Sequence, residues 1–407
     1  MDNGLYRLVG RIQNYAWGGQ EFIPELLGLH PEPHTAYAEY WLGAHDKAPS
    51  KIILEDSRTV HLNKFIAEDP QRALGQRVAL QSGQLPFLLK VLDVEKPLSI
   101  QVHPTKAEAE AGFARESALH IPLDSPERNY KDDNHKPELM VALSDFWLLH
   151  GFLPEAELNN VLKNVPEFHV LLGVFENGGY AGLYKHVMNM PPDEVDGILR
   201  PLAKRIRVKG KTGRLERSSA DYWTASVVAD RNRDQYDRGI FSIYFFNLVH
   251  LRRGQAIFQD AGIPHAYLQG QNIELMANSD NVLRGGLTEK HVDVPELLKT
   301  VKFKGIRPAI IEGTPVDGSL EAFYGSPTQD FCLSRLDLRE GEPYVNSSQS
   351  IEIVLIMEGM AAIDSGRKEL SVSRGQSAVV LAETNYRITA LSEEAALFRA
   401  SLPSASF

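Results

Sequence analysis

Two short segments hold side chains suited to binding a metal: Gln101-Val102-His103-Pro104 and Gly262-Ile263-Pro264-His265-Ala266-Tyr267. Between them lies Lys136-Pro137-Glu138. Two imidazoles, a carboxylate and an amide oxygen are the mixed nitrogen and oxygen set that a catalytic divalent metal accepts. Gln101 and His103 are two residues apart, so on a strand both side chains leave the same face. Leu98, Ile100 and Val102 then point the other way. That gives an apolar face backing onto a core, while Ser99, Gln101 and His103 line something wet or metal-bearing.

The elements that must position these residues are mostly strands. Residues 1–150 read as short apolar runs punctuated by Gly, Pro and Asp, among them 85–92 and 98–103, with the turn-like Glu95-Lys96-Pro97 between. From 151 to 235 the period changes to that of helices. Leu158, Val161, Leu162 and Val165 form one apolar stripe, preceded by Pro154 with Glu155 and Glu157 in the first turn. Val195, Ile198, Leu199, Leu202 and Ile206 form another. Strand character is expected to return at Phe241-Ser242-Ile243-Tyr244-Phe245, to continue to about 312, and to resume in short strands from 313. The expected architecture is mainly β with a helical insertion. A first β domain is discontinuous (1–150 plus 236–312), the insertion spans 151–235, and a last β domain spans 313–407. Nucleotide loops of the GxGxxG or Walker A type are absent.

One repeat links the two β domains. Gly254 is followed by Asp260, Gly262 and His265, the order of a half-motif of small β-barrel metal sites, with Asp260 where proline is usual. Gly375 opens the same pattern, but eleven residues on stands Tyr386 in place of histidine. The last domain therefore reads as a second barrel without metal ligands, with a packing role.

Composition narrows the class. The chain has 407 residues, 43% of them hydrophobic, which suits two or three domains with real cores. A net charge of −10 argues against a nucleic-acid partner. The one cysteine, Cys332, excludes an internal disulfide and fits a reducing compartment. The first residues lack the pattern of a signal peptide, and no apolar run is long enough for a membrane span. A cytoplasmic protein without membrane or nucleic-acid partners, with enough core to stand as a monomer, is expected.

The motifs also resemble a known family. Gln13-Asn14-Tyr15-Ala16-Trp17-Gly18, Ala38-Glu39-Tyr40-Trp41-Leu42-Gly43-Ala44-His45, the segments 97–104 and 135–139, Pro264-His265-Ala266-Tyr267 and the long run 276–290 follow the order of the type I phosphomannose isomerases, which are cupins. The resemblance implies two cupin-type β-barrels (jelly rolls), the first metal-bearing and the second degenerate. It implies one Zn2+ per chain on Gln101, His103, Glu138 and His265. It also implies interconversion of mannose 6-phosphate and fructose 6-phosphate, in which a base carries a proton between C2 and C1 through a cis-enediol. The residues supply a reason for the amide ligand: with only Glu138 charged, the site keeps a net charge of about +1 and a strong Lewis acid.

By the same resemblance Arg284 and Lys290 are active-site cations for enediolate or phosphate charge. Glu274 and Asp280 are rival proton-transfer carboxylates, with a metal-bound hydroxide as a third candidate. Lys90, Ser99 and Lys136 lie beside the ligand motifs and can complete an anion pocket. Trp17 can stack on a sugar face, although such aromatics more often pack a core. His30, His34 and His45 show no convincing ligand spacing. The charged run 124–133 reads as a solvated loop, or as a lid because it leads into Lys136 and Glu138. Gly285 and Glu289 depart from the family's usual alanine and proline. Two other readings stay open: a phosphosugar-binding cupin without turnover, and another cupin metalloenzyme such as an iron-dependent oxygenase.

Overall fold

In the computed structural model, residues 4–230 and 235–403 are described, so the ends of the first and last expected domains lie outside the described residues. The chain is mainly β, with its two longest helices, Leu172–Asn189 and Pro192–Lys211, between residues 155 and 245 and others at 22–27, 62–81, 106–118 and 294–300. A ten-stranded sheet carries the candidate ligands. Its main path runs Phe246–Leu251, Phe146–Phe152, His265–Ala277, Phe87–Val94, Glu39–Gly43, Arg11–Gln13, with Gln101–Val102, Glu138–Ala142, Ala256–Gln259 and Leu283–Arg284 attached at its side.

The strand His265–Ala277 organises this sheet. Its first residues pair with Phe146–Phe152, and its later ones pair with Phe87–Val94 and Glu138–Ala142. The change of partner occurs at Gly270, whose φ of 129° only glycine adopts readily. A Cβ there would stand 2.7 Å from the Phe146 ring. A bent strand can therefore hold His265 near one end and Glu274 near the other while both face one interior. Ile273 and Leu275 point oppositely, into a core shared with Leu89, Val91, Leu139 and Val141.

A nine-stranded sheet joins the two ends of the chain. Leu5–Val9 pairs with Ser377–Val380 on one side and with Lys51–Ile53 on the other. A third, four-stranded sheet closes over the C-terminal strands, with Leu336, Val354, Ile363, Val380 and Ile388 in the core between. The helices pack as the spacing predicts: Leu158, Leu162, Val195, Leu199, Leu202 and Ile206 are all buried in one cluster.

Two expectations about local structure need correction. Phe241–Phe245 is not a strand but most of the helix Gly239–Phe245, and the strand starts at Phe246. All seven residues of that helix are buried, so the sequence has no polar face to reveal a period. The run 98–103 forms a ladder only at Gln101–Val102. Ile100 is instead held through its backbone by Gly285 and Gly286, and Leu98 N–H donates to Tyr267 O.

Candidate metal centre

Ladder register brings the predicted ligands together. Gln101 pairs with His265 on one side and Arg284 on the other, and His265 also pairs with His150. Direct partners across antiparallel strands project to one face. Arg284, Gln101 and His265 therefore stand in one row. Glu138 opens its own strand, and Gly262 N–H donates to His103 O, drawing the loop before His265 onto His103.

His103, Glu138 and His265 are all buried, and one ligand atom from each lies within 4.8 Å of the others. Glu138 Oε1 is 3.3 Å from His103 Nε2, and Oε2 is 3.4 Å from His265 Nε2. His103 Nδ1 is 2.9 Å from Asn281 O, and His265 Nδ1 is 3.0 Å from Ile263 O. A carbonyl only accepts, so each Nδ1 carries the hydrogen and each Nε2 keeps its lone pair. His103 Nε2 is buried without a hydrogen-bond partner. A native protein seldom tolerates such a group, and a metal at that point satisfies it. Burial pushes the His103 imidazole down to about 4, which keeps it neutral for ligation. Burial works against the Glu138 carboxylate, but Lys136, its 3.1 Å partner, and His103 outweigh it and hold Glu138 well below the usual range.

Around this centre lie two further groups. The first is buried: Glu274 Oε1 accepts from Lys90 Nζ at 3.1 Å and Oε2 from Tyr267 at 2.9 Å. Burial raises the Glu274 carboxyl despite Lys90. Burial opposes charge on Lys90 too, but Glu39, Glu274 and Glu138 keep it protonated, and it sits 5.2 Å from the Trp41 ring centre. The second group is more open. Asp280 bonds Lys47 Nζ at 2.8 Å and lies 3.5 Å from His45 Nε2. Partial burial works to raise Asp280, yet these two partners hold it far below the carboxylate range. Burial lowers Arg284, and Lys290 is lowered by burial and then by Arg284 and Lys47. Lys131 is lowered by burial and then by Lys47 and Arg284. Arg284 and Lys47 thus both act on Lys290 and Lys131, and Lys47 is itself paired with Asp280.

Of the predicted substrate contacts, Lys90 and Lys136 enter ion pairs inside the site, and Ser99 is half-buried. Trp17 is half-buried and stacks on Tyr15 at 5.8 Å. The Tyr15 hydroxyl is raised by burial and by Glu39, with Lys90 and Asp280 also acting on it. Sequence reasoning missed Tyr15, Glu39, His45, Lys47 and Lys131. The first three lie within the motif segments, and that position was the signal available.

The run 124–133 is not a freely solvated loop. Arg128 and Tyr130 are buried, and Glu116 accepts from the backbone N–H groups of Asn129 and Tyr130. Asp132 accepts from Ser279 Oγ at 2.7 Å and from Asp280 N at 2.7 Å, while Asn281 Nδ2 donates to Asp132 O at 2.8 Å. The segment is fastened through Asp132 to residues 279–281 and through Asn129 and Tyr130 to Glu116 of the helix Lys106–Ala118, while Asp124, Pro126 and Glu127 stay exposed.

The comparisons with known proteins agree with this geometry. Residues 5–155 match the catalytic domain of phosphomannose isomerase type I. A mannose-6-phosphate isomerase of Shigella flexneri is 38% identical over 93% of this chain and 95% of its own. A crystal structure of a mutant phosphomannose isomerase from Salmonella typhimurium superposes with a TM-score of 0.88 at 35% identity, covering 98% of this chain and 99% of that one. The mannose 6-phosphate isomerase of the same organism bound to fructose 6-phosphate and zinc gives a TM-score of 0.87 at 35% identity, covering 98% of this chain and 100% of that one.

Proposed function

The chain belongs to the type I phosphomannose isomerase family, and from that membership we propose that it is a zinc-dependent isomerase of mannose 6-phosphate and fructose 6-phosphate. The observation that carries the reading is the arrangement of His103, Glu138 and His265, with both Nδ1 atoms tied to carbonyls and His103 Nε2 unpaired. Gln101, in register with His265, supplies the fourth donor. Bound there, zinc supplies a Lewis-acid positive charge that polarises a substrate oxygen.

The chain's own residues divide the remaining work. Arg284, beside Gln101 in the row, orients the substrate and faces charge growing on its oxygens. Lys290 supplies positive charge for the phosphate, with Lys47 acting on it from its pair with Asp280, whereas the Lys131 ammonium is held by Leu123 O and Ser125 O. Glu274 is the carboxylate read as carrying the proton between C2 and C1, since burial raises its proton affinity whereas His45 and Lys47 depress that of Asp280. Lys90 and Tyr267 hold the Glu274 carboxylate in place.

At the level of the fold we read two cupin-type barrels, the first spanning 1–150 plus 236–312 and the second 313–407, with 151–235 as the helical insertion. The spacing of Gly254 to His265 and of Gly375 to Tyr386 supports this. The chain is taken to act as a cytoplasmic monomer. In support, there is one cysteine in the sequence, and among the described residues no helix is long and apolar enough to cross a membrane.

A coupled assay for fructose 6-phosphate formed from mannose 6-phosphate, on zinc-loaded wild type and Arg284→Ala, tests the reading. Turnover by the wild type and a loss on the order of a hundredfold in the variant are expected. Absence of turnover by the zinc-loaded wild type overturns it in favour of a phosphosugar-binding protein.

A further inference from the structure

The segment between Arg284 and Lys290 is secured from an unexpected direction. Gly285 and Gly286 are tied to Ile100 through backbone hydrogen bonds. Beyond them, the Asp237 carboxylate takes over. Its Oδ1 accepts from Leu287 N at 2.9 Å, and its Oδ2 accepts from Thr288 N at 3.1 Å. Oδ1 also accepts from Gly239 N at 2.7 Å, at the start of the helix 239–245. Thr288 Oγ1 then accepts from Lys290 N at 3.1 Å, passing the constraint to the lysine itself.

Three observations show that this clasp is built to hold position. Leu287 has a φ of 54°, a left-handed conformation that costs a leucine of order 1 kcal/mol or more and persists only where its surroundings enforce it. The two backbones touch: a Cβ at Gly239 would lie 2.5 Å from Leu287 N, and one at Gly286 would lie 2.6 Å from Gly239 Cα. The base of the clasp is itself anchored, since Tyr236 N donates to Asp196 Oδ1 at 2.9 Å and Arg238 Nη2 donates to Met190 O at 2.7 Å. Behind Thr288 and Val292 lies a cavity of about 200 Å³ lined also by Met188, Val195 and Tyr236. Leu287 itself is buried in the core beside these helices, so packing and the carboxylate restrain the strap together.

We infer that Asp237, in the turn just before the helix Gly239–Phe245, is a positioning residue that fixes the strap carrying Arg284 and Lys290 for recognition of the phosphorylated substrate. The inference rests on the proposed roles of Arg284 and Lys290. It gives the turn that leads into the helix Gly239–Phe245 a part in the reaction although it supplies no metal ligand. Asp237 touches no reacting atom; it acts by holding the backbone that follows Arg284, and with it Lys290, in place beside the metal row.

The test uses zinc-loaded full-length protein and the variants Asp237→Ala, Asp237→Asn, Arg284→Ala and Lys290→Ala. Asparagine keeps one acceptor oxygen but turns an N–H donor toward Thr288 N or Leu287 N, so it breaks the clasp with little change in volume. The readouts are KM for mannose 6-phosphate, the inhibition constant of inorganic phosphate, kcat, and zinc content. For Asp237→Asn, KM and the phosphate constant are expected to rise together by about tenfold, with zinc content unchanged, as for other supporting residues around a site. If Asp237→Ala proves insoluble, Asp237→Asn alone decides. An unchanged KM and phosphate constant in Asp237→Asn, whether or not kcat falls, overturns the inference while leaving the isomerase reading intact. Wild-type kinetics in both Arg284→Ala and Lys290→Ala overturn the proposed roles themselves, and the inference with them.

Discussion

Glu138 carries the only formal charge in the proposed ligand set, and Lys136 already stands 3.1 Å from it. The site thus keeps more positive character than the ligands alone imply, and the amide of Gln101 preserves it. Gln101→Glu is expected to tighten zinc binding while lowering kcat by roughly tenfold or more, because a second carboxylate quenches the Lewis acid. Zinc competition against a chelator and steady-state kinetics check both halves; an unchanged kcat with tighter zinc contradicts the charge argument. His150, in register with His265, gives a pH prediction. Burial and then His265 depress its imidazole from 6.5 to about 4. Below 6.5 the unfolded chain takes up a proton that the folded chain refuses. Its contribution is therefore complete above that pH and is lost as the pH falls toward about 4. Metal-free His150→Gln should lose stability less steeply than metal-free wild type over that window in urea titrations. Equal slopes would sink the assignment.

At the scale of elements, the strand edge 276–284 is as important as the ligands. Asn281 uses its carbonyl to fix His103 and its amide to grip the segment 131–134. Asp132→Ala removes acceptors from Ser279, Asp280 and Asn281 together. Zinc affinity is expected to fall about 10- to 100-fold, as when partners of metal ligands are removed. Equilibrium dialysis measures it, and wild-type affinity would show that the segment merely covers the site. These elements also mark what could be read from the sequence. His103, Glu138 and His265 were legible because their types are rare together and each sits in a compact motif. The grip of Asp132 on residues 279–281 was not legible, since it joins segments nearly 150 positions apart and polar residues there look like any solvated turn. The helix 239–245 was misread because full burial erased its period. Lys47 and Lys131 were overlooked because single lysines in turns carry no spacing signal.

Across the whole molecule, the C-terminal strands share with the first sheet's half-motif only its opening glycine, Gly375, and have a different interior. Tyr386, at the position where a ligand histidine was sought, donates to Glu352, and Tyr344 donates to Glu321 at 3.0 Å. Arg399 lies between the two carboxylates, with Nη1 2.9 Å from Glu352 Oε1. The expectation of a metal-free packing unit therefore needs one refinement: a buried ionic cluster takes part in that packing. Arg399→Leu leaves two buried carboxylates facing each other without their cation. Stability should fall by about 3–5 kcal/mol in urea unfolding, while kcat per folded, zinc-loaded molecule stays near wild type. A loss under 1 kcal/mol would show that the pair breaks even against apolar packing. The same sheet contains Leu5–Val9, so the strand Leu5–Val9 and the C-terminal strands support one another.

The claim that joins these scales is that one metal ion, held by Gln101, His103, Glu138 and His265, makes the chain an isomerase. The most direct measurement is turnover of mannose 6-phosphate as chelator-stripped protein is titrated with zinc. Activity should rise from near zero, in proportion to added zinc, and level off at about one ion per chain. Full activity in the stripped protein, or a rise that continues to two ions per chain, would contradict the account.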